Sequence, residues 1–147
     1  MKTYKGYINF LEDNQIFCFG SNPEGKHGAG TARIALEKYG AVYGKGRGLF
    51  GKSYGIVTKN LTDDFVENNG IEYKISGLRS VTKEQIVENI KELYDFANKN
   101  KDLEFLIAYA PYGKLLNGYS INEMAEMFNS YNIPENIVFN EDFFKLF

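Results

Sequence analysis

Residues 18–36 read CFGSNPEGKHGAGTARIAL, and this stretch decides the fold. The apolar run Ile16-Phe17-Cys18-Phe19 enters a polar, glycine-rich turn, which leads into small residues at helical spacing. A short continuous apolar run suits a strand covered on both faces, so Gln15 to Phe19 is predicted to be a buried strand. The helix is expected from about Ala29 to Tyr39. Ala32, Ala35, Leu36 and Tyr39 share one stripe, and Gly40 ends the helix as its C′ glycine. The first N–H groups of a helix lack intrahelical partners and carry partial positive charge, so this turn suits an anionic ligand. Glycines at 20, 25, 28 and 30 let backbone approach such a ligand with no Cβ in the way. The spacing is neither GxGxxG nor GxxxxGK[ST]. A glycine-rich turn is also an ordinary way to make a tight connection.

Working outward, Lys2 to Phe10 reads as an edge strand or extended arm, and residues 11–14 as a turn. Residues 41–52, AVYGKGRGLFGK, form a second glycine-rich loop. Glycines at 20, 25, 28, 30, 40, 44, 46, 48, 51 and 55 are ten of the chain's fifteen. A long loop of this kind is expected to be functional or mobile, the plainer alternative being a loose connector. Ser53 to Val57 is a strand, Leu61 to Gly70 a polar excursion, and Ile71 to Ile75 a short strand. Thr82 and Gln85 form a capping box, with Val81 and Ile86 as its hydrophobic staple. Ile86, Ile90, Leu93 and Ala97 give that helix its buried stripe. Glu104 to Tyr109 is a second buried strand and Ala110 to Tyr119 a loop. Ser120 with Glu123 opens the next helix, and Ile137 to Phe139 is a final strand.

Alternating strands and helices predict one α/β domain over residues 1–147, with a largely parallel or mixed sheet. Ligands in such sheets bind at the carboxyl ends of the strands. The unusual residues fall in three loops that follow strands: 20–28, 58–62 and 110–119.

Composition narrows the function. With 17 Lys plus Arg against 19 Asp plus Glu, the net charge of −2 argues against broad electrostatic binding of nucleic acid. The single cysteine, Cys18, excludes an internal disulfide and is expected to pack in the core. One His and one Cys make an ordinary zinc site improbable. No apolar run is long enough for a membrane span and no signal peptide is evident, so a cytoplasmic location is expected.

Three segments carry a family resemblance: FGSNPEGKHGAGTA (19–32), GRGLFGKSYGIVTK (46–59) and FLIAYAPYGKLLNGYSINEMAEMF (105–128). Together they resemble a small macrodomain-like family common in phages and bacteria, whose members read roughly FGSNxxGxHGAGAA, GLxGxSYAIPTK and GCGxAGFxxEEIA. The chain is also similar to macrodomains of the terminal ADP-ribose glycohydrolase type. The resemblance implies a macrodomain-like layered fold, with a mixed sheet flanked by helices. It also implies an ADP-ribose cleft at the strand ends, no cofactor, and a host-cytoplasmic location if the gene belongs to a phage.

By that resemblance, Gly20, Ser21, Asn22, His27, Gly28, Ala29, Gly30 and Thr31 line the ligand. Lys59 matches the family's attacking lysine, though a lysine there can equally pair with a phosphate or lie in solvent, and Asn117 falls where an assisting aspartate belongs. An amide cannot take up a proton as a carboxylate does, so Asn117 orients a hydroxyl at most. The usual GCG turn reads Gly113-Lys114-Leu115, where Lys114 supplies a charge in place of a glycine. His27, the only histidine, is a candidate ligand contact or proton carrier. Arg47 and Lys52 are candidate phosphate clamps or plain surface charges. Tyr109, Tyr112 and Tyr119 are candidates to stack on an adenine. The expected function is capture of ADP-ribose or a related NAD-derived nucleotide, such as a host-defence signal. The alternatives are an ADP-ribosyl hydrolase acting through Lys59, His27 and Asn117 on modified protein or nucleic acid, and a ligand-free interaction module.

Overall fold

The computed structural model describes residues 2–109 and 116–147. In chain order its first elements are β1 (Thr3–Tyr4), β2 (Gln15–Ser21), α1 (Gly30–Lys38), β3 (Gly48–Phe50), β4 (Ser53–Val57), β5 (Phe65–Val66) and β6 (Glu72–Tyr73). α2 (Lys83–Lys99), β7 (Glu104–Ile107), α3 (Ile121–Phe128), β8 (Ile137–Asn140) and α4 (Glu141–Phe144) follow. Six strands form a sheet in the order β1-β8-β7-β2-β4-β3. The first five run parallel, and β3 pairs antiparallel with β4. The result is a mixed sheet flanked by helices, an α/β layered fold.

β2 lies inside the sheet, in register with β4 from Phe17↔Ser53 to Ser21↔Val57 and with β7 from Gln15↔Glu104 to Cys18↔Ile107. Strand alternation then sorts its side chains. Ile16 and Cys18 join the large core beneath α2, α3 and α4, while Phe17 and Phe19 pack with Ala32, Ala35 and Tyr39 on the α1 side. Both faces are covered, which is why the run is apolar at every position. The α1 layer is thin. Alanines bring that helix close to the sheet, and Leu36, expected in its buried stripe, is instead exposed.

α2 turns Ile86, Ile90, Leu93 and Ala97 wholly inward. Its capping box is complete, with the Thr82 hydroxyl accepting from Gln85 N–H at 3.1 Å and Thr82 N–H donating to Gln85 Oε1 at 2.9 Å. Ser120 and Glu123 do the same for α3. The Asn140 amide oxygen caps α4 by accepting from Asp142 and Phe143 N–H.

One stretch departs from expectation: part of the 41–52 loop is β3, joined to β4 by the two-residue turn Gly51-Lys52. The short strand expected over 71–75 is present as β6, and it pairs as a hairpin with β5, which lies within the 61–70 excursion. Among the described residues no helix is long and apolar enough to cross a membrane.

Candidate functional site

Because β2, β4 and β7 are parallel, their carboxyl ends share one edge of the sheet, and the loops that follow start side by side. The Ser21 carbonyl accepts from the N–H groups of Thr58 (2.9 Å) and Lys59 (3.3 Å), and Cys18 O accepts from Ala108 N–H (2.9 Å). The described end of the third segment returns to the first loop. The Leu116 side chain sits 3.0 Å from where a Cβ on Gly30 would stand. Asn22, Lys59 and Leu116 thus share this rim. Gly113 and Lys114, together with Tyr112, lie outside the described residues.

Within the first loop most polar side chains are committed to the loop itself. Asn22 donates from Nδ2 to Lys26 O (2.7 Å) and accepts from Lys26 N–H (2.8 Å), so its amide closes the turn. Glu24 Oε2 accepts from Leu61 N–H at 2.9 Å and ties the first loop to the second. Ser21 is 3% exposed, and its hydroxyl points back to Asn22 O. His27 is 1% exposed and lies edge-on to Phe19, with ring centroids 5.5 Å apart. Its Nε2 lies 3.0 Å from Val42 O and 3.1 Å from Lys45 O. Carbonyl oxygens only accept, so Nε2 carries the proton and the ring pins the 41–48 loop to the rim loop. Nδ1 is buried with no partner among the described residues.

The glycines divide by role. A Cβ on Gly46 would overlap the Asn22 carbonyl oxygen, one on Gly55 would overlap Gly46 O, and one on Gly25 would overlap Gly44 and Lys45 backbone. These residues let two loops and a strand interleave backbone against backbone, so the second glycine-rich loop is packed in place. Gly30, with φ +60°, uses the left-handed region that favours glycine. Gly28 differs from all of these. It is exposed, its φ is outside that region, and a Cβ there would meet nothing within 4 Å among the described residues.

Gly28 leads directly into α1. Ala29 occupies the N-cap with φ −152° and ψ 160° and offers no side-chain cap, and the first turn carries no acidic residue. The first N–H groups of this helix therefore have no side-chain cap among the described residues, whereas α2, α3 and α4 each have one. Ala29 and Gly30 are exposed, and Thr31 is half-buried in the first turn. Lys59 is half-buried at the end of β4, and its ammonium forms no ion pair or hydrogen bond with the described residues. Gly20 sits beneath the same strand end, with Thr58 Oγ1 3.1 Å from its would-be Cβ.

Other candidates are occupied elsewhere. Asn117 is 8% exposed; its Oδ1 accepts from Tyr119 N–H (2.9 Å), and its Nδ2 donates to Met124 Sδ (3.5 Å). Tyr119 donates its hydroxyl to Val81 O and lies under the Arg79 guanidinium, while Tyr109 packs on Phe143. Lys52 donates to Glu12 O at 2.7 Å. Arg47 grips Glu67 with two hydrogen bonds (2.8 and 3.0 Å) and reaches Asn89 Oδ1 at 2.7 Å. Burial alone would raise the Glu67 carboxyl, but Arg47 and the Tyr73 hydroxyl outweigh it and hold that group below the usual range. Burial pushes the Cys18 thiol well up, which suits a packed side chain rather than a nucleophile. Among the described residues no group of three or more His, Cys, Asp or Glu side chains is placed to hold a metal ion.

One organising residue carries little mark in the sequence. Asn60 is fully buried and donates from Nδ2 to Thr62 O and Ile75 O, both at 2.7 Å, while its carbonyl accepts from Gly77 N–H. It fastens both ends of the 61–77 excursion beside Lys59. An asparagine between an apolar strand and a polar segment is the one local hint of such a turn.

The architecture is thus that of a layered α/β protein whose rim holds a helix terminus without a side-chain cap and a lysine without a partner among the described residues. No known family profile matches the chain, and no curated protein matches it. Among solved structures, the chain is similar to a protein of unknown function from Bacteroides thetaiotaomicron. The TM-score is 0.54 at 13% identity, covering 95% of this chain and 96% of that one. At that identity the likeness extends to the fold alone.

Proposed function

We propose that this protein is macrodomain-like and binds ADP-ribose or a related NAD-derived nucleotide at the rim. The diphosphate lies against the N–H groups of residues 28–31, and Lys59 supplies the countercharge. The observation that carries the reading is Gly28, a glycine that neither its backbone conformation nor packing against the described residues requires, placed at an exposed helix start with no side-chain cap. Close approach of a ligand gives it a reason. The identity of the nucleotide rests on the sequence resemblance.

Capture is favoured over hydrolysis. Hydrolysis needs a group to carry protons, and the His27 and Asn117 side chains are turned to structural use. Of the three candidate catalytic side chains, Lys59 alone has no partner among the described residues.

Isothermal calorimetry with ADP-ribose, cyclic ADP-ribose isomers and NAD tests this directly. Binding of at least one is expected, weakened about tenfold or more by Lys59→Ala. Gly28→Val should abolish it while leaving the circular dichroism spectrum unchanged. Absence of heat with every nucleotide would overturn the reading. ADP-ribosylated protein and DNA should release no ADP-ribose; release that disappears in Lys59→Ala would favour the hydrolase instead.

A further inference from the structure

A groove of about 780 Å³ runs between β3 and α2, and none of the rim residues lines it. Its floor is apolar, built from Leu49, Tyr54 and Phe96, with Ile71 of the hairpin at one side. One wall is α2, which presents Glu88, Glu92 and Asp95 at i, i+4 and i+7, a single helical stripe.

The other wall is an edge strand. The two-residue Gly51-Lys52 turn makes Phe50 and Ser53 the close hydrogen-bonded pair, so alternation aims the N–H and C=O of Leu49 away from β4. Neither group has a partner among the described residues.

Charge indicates what fits there. Lys91 sits with Asp95 at 3.3 Å, and Arg47 binds Glu67 closely before it reaches Glu92 at 3.5 Å. Glu88 accepts from the Tyr131 hydroxyl at 3.1 Å and also feels Lys91, whose single charge it shares with Asp95. The stripe therefore keeps an excess of negative charge beside Glu88 and Glu92, with Lys99 at its end. Charges next to an edge strand also guard against self-pairing, but that role needs no apolar floor. Two copies joined through β3 would set like acidic stripes against each other, which disfavours a second copy as occupant.

We propose that this groove receives an extended, basic segment of a partner protein. The segment pairs with the Leu49 edge of β3, seats an apolar side chain on the Tyr54–Phe96 floor, and sets Lys or Arg two residues away against Glu88 and Glu92. The proposal is independent of the rim.

A displayed library of random heptapeptides, selected on the intact protein, tests it. Enriched peptides should carry Lys or Arg two positions from an apolar residue. A labelled enriched peptide should bind about tenfold more weakly to Glu88→Lys and to Glu92→Lys, both exposed positions, and more weakly as salt rises. Failure to enrich, enrichment of acidic or uncharged peptides, or binding by both variants as tight as by wild type would overturn it. So would sedimentation showing a dimer that Leu49→Lys dissociates, since the occupant would then be a second copy.

Discussion

Gly46→Ala is expected to cost about 4 kcal/mol or more of folding stability. Gly28→Ala, in the partner loop, should cost less than about 0.5 kcal/mol. Both replace one hydrogen of a loop glycine with a methyl group, and their surroundings differ completely. At Gly46 the methyl meets the Asn22 carbonyl oxygen, and Gly55 packs against Gly46 from the other side. Backbone on both sides leaves no rotamer to yield. At Gly28 the methyl meets none of the described residues, and the backbone is outside the left-handed region that favours glycine. Urea unfolding followed by far-UV circular dichroism separates the two. A Gly46→Ala midpoint within error of wild type would mean that the two loops do not interleave as described.

The second large effect lies at Arg47. Its guanidinium (17% exposed) and the Glu67 carboxylate (9% exposed) face each other with little water. Removing one partner of such a pair strands the other charge, so Arg47→Ala should lose about 3 kcal/mol. The loss should loosen the β5–β6 hairpin first, because Glu67 and Tyr73 are its attachment to Arg47. The folded-state pKa of Glu67 is depressed, so its contribution is complete above the unfolded value of about 4.3 and disappears as pH falls through the folded value. Wild type should therefore lose stability with acid over that range more steeply than Arg47→Ala. Parallel stability–pH curves for the two proteins would contradict the role given to this pair.

Local rules were readable before the structure. Thr82 with Gln85 and Ser120 with Glu123 mark helix starts because a capping box is complete within four residues. The buried strands betray themselves because a run such as residues 16–19 has no reason to be apolar at every position unless both faces are covered. The layered fold follows from that alternation of strands and helices. What escaped was set by partners distant in sequence. His27 is spaced like a ligand contact, yet its partners are carbonyls 15 and 18 residues on. Arg47 finds Glu67 after 20 residues and Asn89 after 42. Gly44, Gly46 and Gly48 suggest a loose loop, since composition does not show that Gly44 and Gly46 face other backbone and that Gly48 begins an edge strand. Leu36 misled because helical periodicity assumes a wide contact face, and α1 touches the sheet through alanines. The rim was legible as a meeting of three loops. Which of its side chains are already spent on hydrogen bonds was not.

The most direct test of the rim is a titration of isotopically labelled protein with ADP-ribose, followed by amide ¹H–¹⁵N correlation spectra. The amides of Gly28, Ala29, Gly30, Thr31 and Lys59 should move together and saturate, while those of Leu49 and Glu92 in the groove stay in place. Shifts confined to the groove, or none at the α1 terminus at saturating nucleotide, would contradict the account.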